Sequence, residues 1–375
     1  MKGNGSLFAS QLYAPLSIPS PPKAWADIYI SLGWIHNIIP GVAASYRLDI
    51  KTYALCLLAG IIAAVIVTSR RLTARGAEPG VVLDIAIPAV ILGIIGARAY
   101  HVLTHYNDYF GPGKNTWNPF EYGAVWNVWD GGIAVFGSLL GGALGVYLGC
   151  RFTGIRFWSF ADALAPGLIL AQALGRFGNY FNHELYGQPT NLPWGLQIES
   201  SNAAYPIGLP AGTLFHPTFL YEIIWNLLVL TALLLIERQY RLRWGKLIAL
   251  YFIFYGIGRA WFESIRIDPS QVYLGLRSNV WGALGAILLG IIIFTVQRRR
   301  HPGLEPSVYR PGKEWSPPAS KVDSDETYSD SDDDNDAAVS PEEAKSPEET
   351  SADKESAPKA PRKRSAATSG AGVKH

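Results

Sequence analysis

Cysteine is nearly absent: 375 residues include two, with a single methionine and seven histidines. Two thiols cannot supply the disulfide framework that holds small exported domains together. Cys56 falls inside one apolar run and Cys150 at the end of another, so both read as small buried side chains rather than a bridge. No spacing of His, Cys and carboxylates matches a metal site, and no cofactor is expected. Charge is also scarce, at 17% of residues. The basic side chains sit at the ends of apolar runs rather than on a separate soluble face, which excludes a nucleic-acid footprint. Residues 1–40 contain scattered prolines and no compact apolar core ending in small residues, so a cleaved signal peptide is not expected.

The average composition hides two unlike parts. Residues 301–375 carry ten basic and sixteen acidic side chains, which leaves a net charge of +8 on residues 1–300. The tail, rich in Ser, Pro, Asp and Glu, buries too little apolar surface to offset ordering entropy and is expected to be disordered from about residue 303. The basic body holds seven apolar stretches near the roughly 20 residues that cross a hydrocarbon core, at about 48–69, 81–102, 132–150, 158–174, 218–236, 247–263 and 279–296. The expected fold is therefore an all-α integral membrane protein of about seven spans. It divides into an N-terminal segment (1–47), a membrane domain (48–300) and an acidic tail (301–375).

Orientation follows from the cations, since Lys and Arg accumulate in short cytoplasmic loops. Arg70, Arg71 and Arg75 follow the first span, Arg151 and Arg156 the third, Arg238, Arg241, Arg243 and Lys246 the fifth, and Arg298, Arg299 and Arg300 the seventh. Seven spans put all four clusters on the cytoplasmic side with the C-terminus, and the N-terminus outside. Trp25, Trp34 and Tyr46 suit the headgroup layer. Three longer loops, 103–131, 176–217 and 264–278, imply a small extracytoplasmic cap. Gly137, Gly141, Gly145 and Gly149 recur every fourth residue in the third span, a spacing that lets helices approach closely in lipid.

The densest chemistry lies at the outer end of the fourth span, in Gly175-Arg176-Phe177-Gly178-Asn179-Tyr180-Phe181-Asn182-His183-Glu184-Leu185-Tyr186-Gly187. An arginine at membrane depth costs about 2.5 to 3.5 kcal/mol on insertion scales, so it faces a cavity, a partner or an anionic ligand. The guanidinium fork of Arg176 matches a phosphate. Asn179 and Asn182 share a face if the helix continues, and Glu184 can pair with an arginine or accept a proton. A helix end held by an Arg–Glu pair with asparagine caps is the packing-only alternative. In the outer half of the sixth span, Arg259, Glu263 and Arg266 recur at i, i+4 and i+7 and share one helical face behind Tyr255. There the alternative is an Arg259–Glu263 pair that only joins helices. His216-Pro217-Thr218-Phe219-Leu220-Tyr221-Glu222 opens the fifth span and Trp129-Asp130-Gly131-Gly132 the third, where capping is the leading role. These intramembrane cations favour a phospholipid headgroup as ligand.

With these residues laid out, the chain resembles the prolipoprotein diacylglyceryl transferases from about residue 53 to 300. The family signature Gly-Arg-x-Gly-Asn-Phe-x-Asn-x-Glu-x-x-Gly falls on residues 175–187, with Tyr180 in place of phenylalanine. The His-Pro-Thr and Leu-Tyr-Glu run, the Trp-Asp-Gly-Gly run and the Arg259/Glu263/Arg266 stripe support it. The resemblance implies transfer of the diacylglyceryl group of phosphatidylglycerol to the lipobox cysteine of exported prolipoproteins, in a bacterial inner (plasma) membrane. It places phospholipid binding and catalysis on Arg176, Asn179, Glu184 and Gly187, on Tyr53 in the first span, and on Tyr255 and Arg259 in the sixth. Asn182, Glu263 and Arg266 join them from their positions beside these groups. Where many family members carry a histidine after Trp-Asp-Gly-Gly, this chain has Phe136, so Glu184, His183, His216 and water stay open as proton acceptors.

Two other classes fit parts of the chain. A lipid transporter would show internal repeats and paired broken helices, and none stands out. A scaffold recruiting partners through its acidic tail leaves the arginines without a task.

Overall fold

The computed structural model describes residues 16–32, 34, 47–110, 117, 123–128 and 131–316. Within them the chain forms helices α1 (Thr52–Thr73), α2 (Val81–Thr104), a single turn α3 (Tyr106–Tyr109), α4 (Val135–Thr153), α5 (Phe157–Phe181), α6 (Thr218–Tyr240), α7 (Lys246–Ile265) and α8 (Ser278–Arg300). Three antiparallel hairpins complete the set: β1 (Asp27–Ser31) with β2 (Arg47–Lys51), β3 (Leu196–Gln197) with β4 (Leu214–Phe215), and β5 (Val272–Tyr273) with β6 (Leu276–Arg277). Six helices, α1, α2, α4, α5, α6 and α8, are long and apolar enough to cross a membrane. The protein is thus a mostly helical, multi-pass membrane protein. The helix α7, which carries Lys246, Arg259 and Glu263, is not among the six, although it occupies the expected sixth span.

Close backbone approach holds the helices in pairs. A Cβ at Gly137 would lie 2.2 Å from the Gly96 carbonyl oxygen, and one at Gly141 2.0 Å from that of Leu92. The four-residue glycine stripe of α4 therefore seats α2 directly on its backbone, since no side chain fits between them. Gly60 on α1 and Gly167 on α5 do the same for a second pair: their added Cβ atoms would each fall 2.9 Å from a carbonyl oxygen, of Ala171 and Ala64 respectively. Gly256 of α7 and Gly290 of α8 bind a third pair, each 2.6 Å from a facing carbonyl. Outward-facing leucine and isoleucine on α1, α2, α4 and α8 stay exposed, as a lipid-facing belt requires. The helix α5 is the most enclosed of the six and packs against α1, α6 and α7.

Arginines that follow the first and fifth expected spans meet at one pole. Glu237 of α6 binds Arg71 and Arg75 at 2.6 Å each and Arg243 at 2.7 Å. The buried Asp162 of α5 accepts the backbone N–H groups of Gly245, Leu247 and Ile248, which satisfies the orphan donors at the start of α7.

The observed boundaries depart from expectation in three places. The first helix starts at Thr52 rather than 48, because residues 47–51 pair with residues 27–31 as strand β2. The fourth helix runs on to Phe181 and so carries half of the signature. The body also extends past Arg300, the boundary expected for the tail. Val308 and Tyr309 are buried against Ile155, Ile155 and Tyr309 form a β-bridge, and Glu305 accepts the Ser159 hydroxyl. The sequence hides this docking because its few apolar anchors sit in an otherwise polar, proline-containing stretch. Trp25 and Trp34 are exposed. Tyr46, Trp129, Asp130 and residues 317–375 lie outside the described residues.

Candidate active site

At the opposite pole α5 presents Gln172, Arg176 and Asn179 along one side. The absence of a side chain at Gly178 admits the Tyr53 ring, since a Cβ there would lie 2.5 Å from Tyr53 Cδ2. Gly187 is held by two close approaches, its N–H donating to the His216 carbonyl and its backbone bridging Arg266. A Cβ would meet His216 at 2.8 Å and Ile265 at 2.9 Å. The signature glycines thus set where α1, the α6 entry and the α7 exit meet the Arg176 turn.

Arg176 is bound from below by a carboxylate and from the side by an amide. Its Nη2 lies 2.7 Å from Glu222 Oε2 on α6, and its Nη1 donates to Asn179 Oδ1 at 3.2 Å. Asn179 Nδ2 in turn donates to Glu184 Oε1 at 2.9 Å, and Asn182 Nδ2 reaches the same oxygen at 3.4 Å. Arg176 and Glu184 are therefore linked through Asn179, not paired directly. The helix ends at Phe181, so Asn182 is its C-terminal cap and converges with Asn179 on Glu184 instead of sharing a helical face. Glu222 was not among the site residues expected from sequence. Its signal was present: a glutamate one turn into an apolar helix needs a cation at the same depth.

Glu263 is fully buried and takes three arginines. Its carboxylate lies 3.0 Å from Arg259, 3.7 Å from Arg266 and 2.9 Å from Arg277, and accepts Asn279 Nδ2 at 3.0 Å. Arg266 is itself buried and bound to Asp268 at 2.6 Å. The i, i+4, i+7 stripe exists, but Glu263 and Arg266 are its enclosed end. Arg277, which also donates to the carbonyls of Glu263, Arg266 and Asp268, was missed because its closeness to Glu263 is made by the β5–β6 turn and not by helical spacing.

Arg176 stands between two spaces. On one side a groove of about 400 Å³ runs between α1 and α5, lined by Tyr53, Leu57, Ile61, Leu168, Ala171 and Leu185 with Gln172, Gly175, Arg176 and Asn179. Ile61, Leu168 and Ala171 also border an adjoining groove of about 420 Å³ among α1, α2, α4 and α5, whose wall is almost wholly apolar. On the other side a narrow cavity is shared by Gln172, Arg176, Glu222, Tyr255 and Arg259. The cavity thus brings Tyr255 and Arg259 to Arg176 from the far side of α5, while Tyr53 reaches it from the groove. The other nominated proton acceptors sit nearby: His183 is buried, with its Nε2 lacking a hydrogen-bond partner, and His216 Nδ1 lies 3.2 Å from Tyr221 Oη. Phe136 is exposed on α4 and packs on Tyr100, 6.3 Å between rings. Among the described residues no group of three His, Cys, Asp or Glu is arranged to hold a metal ion.

A helical membrane body with a guanidinium set at the polar end of an apolar groove defines a class: membrane proteins that handle anionic amphiphiles. The family model for prolipoprotein diacylglyceryl transferase matches residues 41–296, and the chain belongs to that family. A phosphatidylglycerol–prolipoprotein diacylglyceryl transferase of Leifsonia xyli subsp. xyli is 58% identical over 312 residues, covering 83% of this chain and 90% of the relative. Relatives of the same name from Frankia alni and Paenarthrobacter aurescens are each 45% identical, over 274 and 260 residues. They cover 72% and 68% of this chain and 69% and 80% of their own.

Proposed function

We propose that this enzyme transfers the diacylglyceryl group of phosphatidylglycerol to the thiol of the lipobox cysteine of exported prolipoproteins, forming a thioether and releasing glycerol phosphate. The observation that carries the reading is Arg176, placed at the polar end of the α1/α5 groove where the wall turns apolar. A diacyl phospholipid has the same division, an anion joined to two hydrocarbon chains. The partners are phosphatidylglycerol, lipobox prolipoproteins and surrounding membrane lipids, with no nucleic acid. The setting is the bacterial inner (plasma) membrane, with the arginine-rich pole cytoplasmic, α7 completing seven spans, and the hairpins and the 176–217 loop as the outer cap.

In the reaction the cysteine sulfur forms a bond to the terminal glycerol carbon of the diacylglyceryl group. The bond from that carbon to the phosphate oxygen breaks, and its electron pair leaves with glycerol phosphate. Charge grows on the departing phosphate, and fixed guanidinium groups in a site of low dielectric stabilise it. Arg176 grips the phosphate, assisted by the amides of Asn179 and Asn182, and Arg259 approaches from the cavity side with the Tyr255 hydroxyl. Glu222 and Glu263 hold the two arginines in place, and Arg266 and Gly187 hold the turn that carries them. A thiol with an ordinary pKa of about 8.5 is made more acidic by the nearby cations. Its proton goes first to Glu184, which Asn179 ties to Arg176, with His183, His216 and water as the other acceptors. Tyr53 closes the groove beside the reacting carbon.

The test incubates the purified protein with phosphatidylglycerol and a lipobox peptide and follows the peptide by mass spectrometry. A gain of one diacylglyceryl mass is expected, and Arg176→Ala abolishes it. Arg176→Lys keeps a cation opposite Glu222 and serves as the folded control, losing the two-pronged grip but not the charge. Undiminished product from both variants refutes the phosphate-gripping role.

A further inference from the structure

Gln172 lies one turn from Arg176 on the same face of α5 and belongs to the walls of both the groove and the Arg259 cavity. Its Nε2 donates to the Tyr251 hydroxyl at 2.8 Å, which anchors the end of the side chain. Its Oε1 is buried and has no hydrogen-bond partner among the described residues. Buried acceptors are matched almost without exception, so an orphan one beside a binding space calls for a donor from the ligand. The protein donors closest in sequence are already committed, since Arg176 is bound by Glu222 and Asn179.

Phosphate oxygens and fatty-acyl ester carbonyls are acceptors and cannot serve. On the proposed lipid, the donors are the hydroxyl groups of the headgroup glycerol. We infer that Gln172 is a specificity-determining residue, whose amide oxygen accepts a hydroxyl of a polyol headgroup while Arg176 holds the adjoining phosphate. This rests on the transferase reading above and extends it to the choice of phospholipid. Tyr251 acts as the positioning residue, since its hydroxyl anchors the amide beside the groove. The enzyme would thereby favour phosphatidylglycerol over anionic lipids of equal charge that lack hydroxyls.

The experiment compares phosphatidylglycerol with phosphatidylpropanol, which has the same acyl chains and phosphodiester but no headgroup hydroxyl. The full-length protein is used in mixed micelles with a lipobox peptide, and native mass spectrometry measures binding of each lipid separately. Wild type is expected to use phosphatidylglycerol about tenfold better, the worth of one buried hydrogen bond. In Gln172→Met the ratio falls towards one, and in Tyr251→Phe it takes an intermediate value. Thermal melting confirms that each variant is folded, and a loss of stability alone would lower both lipids together without moving their ratio. Equal use of the two lipids by wild type, or a ratio unchanged in Gln172→Met, overturns the inference and leaves the transferase reading standing. A higher peptide KM with no change in lipid ratio also overturns it, by assigning the oxygen to the incoming thiol. Absence of product from wild type with either lipid removes the transferase reading. The binding ratio then decides: a preference for the hydroxylated lipid that Gln172→Met erases upholds the inference, and equal binding overturns it.

Discussion

The two poles of the molecule spend their charged groups differently. At the arginine-rich pole Glu237 is enclosed by three guanidinium groups, Asp162 is saturated by three backbone N–H groups, and residues 305–315 close over the helix ends. At the signature pole Glu263 is likewise enclosed by three guanidinium groups, but Arg176 borders an open groove and Gln172 retains an unmatched oxygen. Buried charges that satisfy each other make a fastening, and buried charges left partly unsatisfied make a receptor. An intramembrane arginine does not by itself reveal which of the two it is. Whether it borders an open groove does.

Breaking the fastening should cost the most. Glu237→Ala leaves three clustered guanidinium groups facing one another, and a loss of about 3 to 5 kcal/mol is expected, read as a fall in melting temperature in detergent. Activity per folded molecule should persist, and a selective loss of turnover at unchanged stability would erase the contrast between the poles. At the other end Arg176→Lys should lower turnover about 10² to 10³-fold, the usual cost of removing a fixed donor from developing negative charge. Its melting temperature should move far less than that of Glu237→Ala. A smaller effect is expected from Gly141→Ala, whose new methyl would press on the Leu92 carbonyl: about 1 to 3 kcal/mol of stability, with unaltered preference between lipids.

The smallest effect tests the strap of residues 305–315. Burial raises the Glu305 carboxyl above its usual range, against the pull of Ser159 and of Arg156, Arg75 and Arg243. A group raised on folding contributes its stability below its unfolded pKa and loses it as pH rises through the folded value. Hydrogen exchange at Val308 and Tyr309 should therefore slow as pH is lowered from neutrality towards 5, after correction for intrinsic rates. Glu305→Gln should flatten that dependence. An unchanged pH response in the variant would show that another group governs the docking.

Much of this was legible from residue types alone. Apolar runs of about 20 residues located the helices because lipid leaves no other partner for the backbone, and the four-residue glycine period of α4 foretold a close helix contact, though not that α2 makes it. The signature located Arg176, Asn179 and Glu184. What stayed hidden depends on which residues distant in sequence become neighbours. Glu222 is 46 positions from Arg176, and nothing local distinguishes it as that arginine's partner from Glu184. Arg277 reaches Glu263 through a turn whose course no periodicity records. Strand β2 was absorbed into the first span because Leu48 and Ile50 look like its continuation. The docked stretch after Arg300 was lost in the composition of the acidic tail behind it.

The helix pairs have one further consequence. Contacts within α1/α5 and within α2/α4 are extensive, whereas α1 with α2 and α4 with α5 touch sparingly, and the apolar groove lies along that thinly bonded line. The buried core at the arginine pole joins the two units through Leu72, Ile85, Cys150 and Phe160, so a tilt hinged there opens the groove without disturbing any glycine-to-carbonyl approach inside either unit. A bulky two-tailed molecule can thus be admitted from the side by a rigid displacement, and the geometry around Arg176, carried by α1, α5, α6, α7 and the turn after Phe181, need not be rebuilt at each turnover.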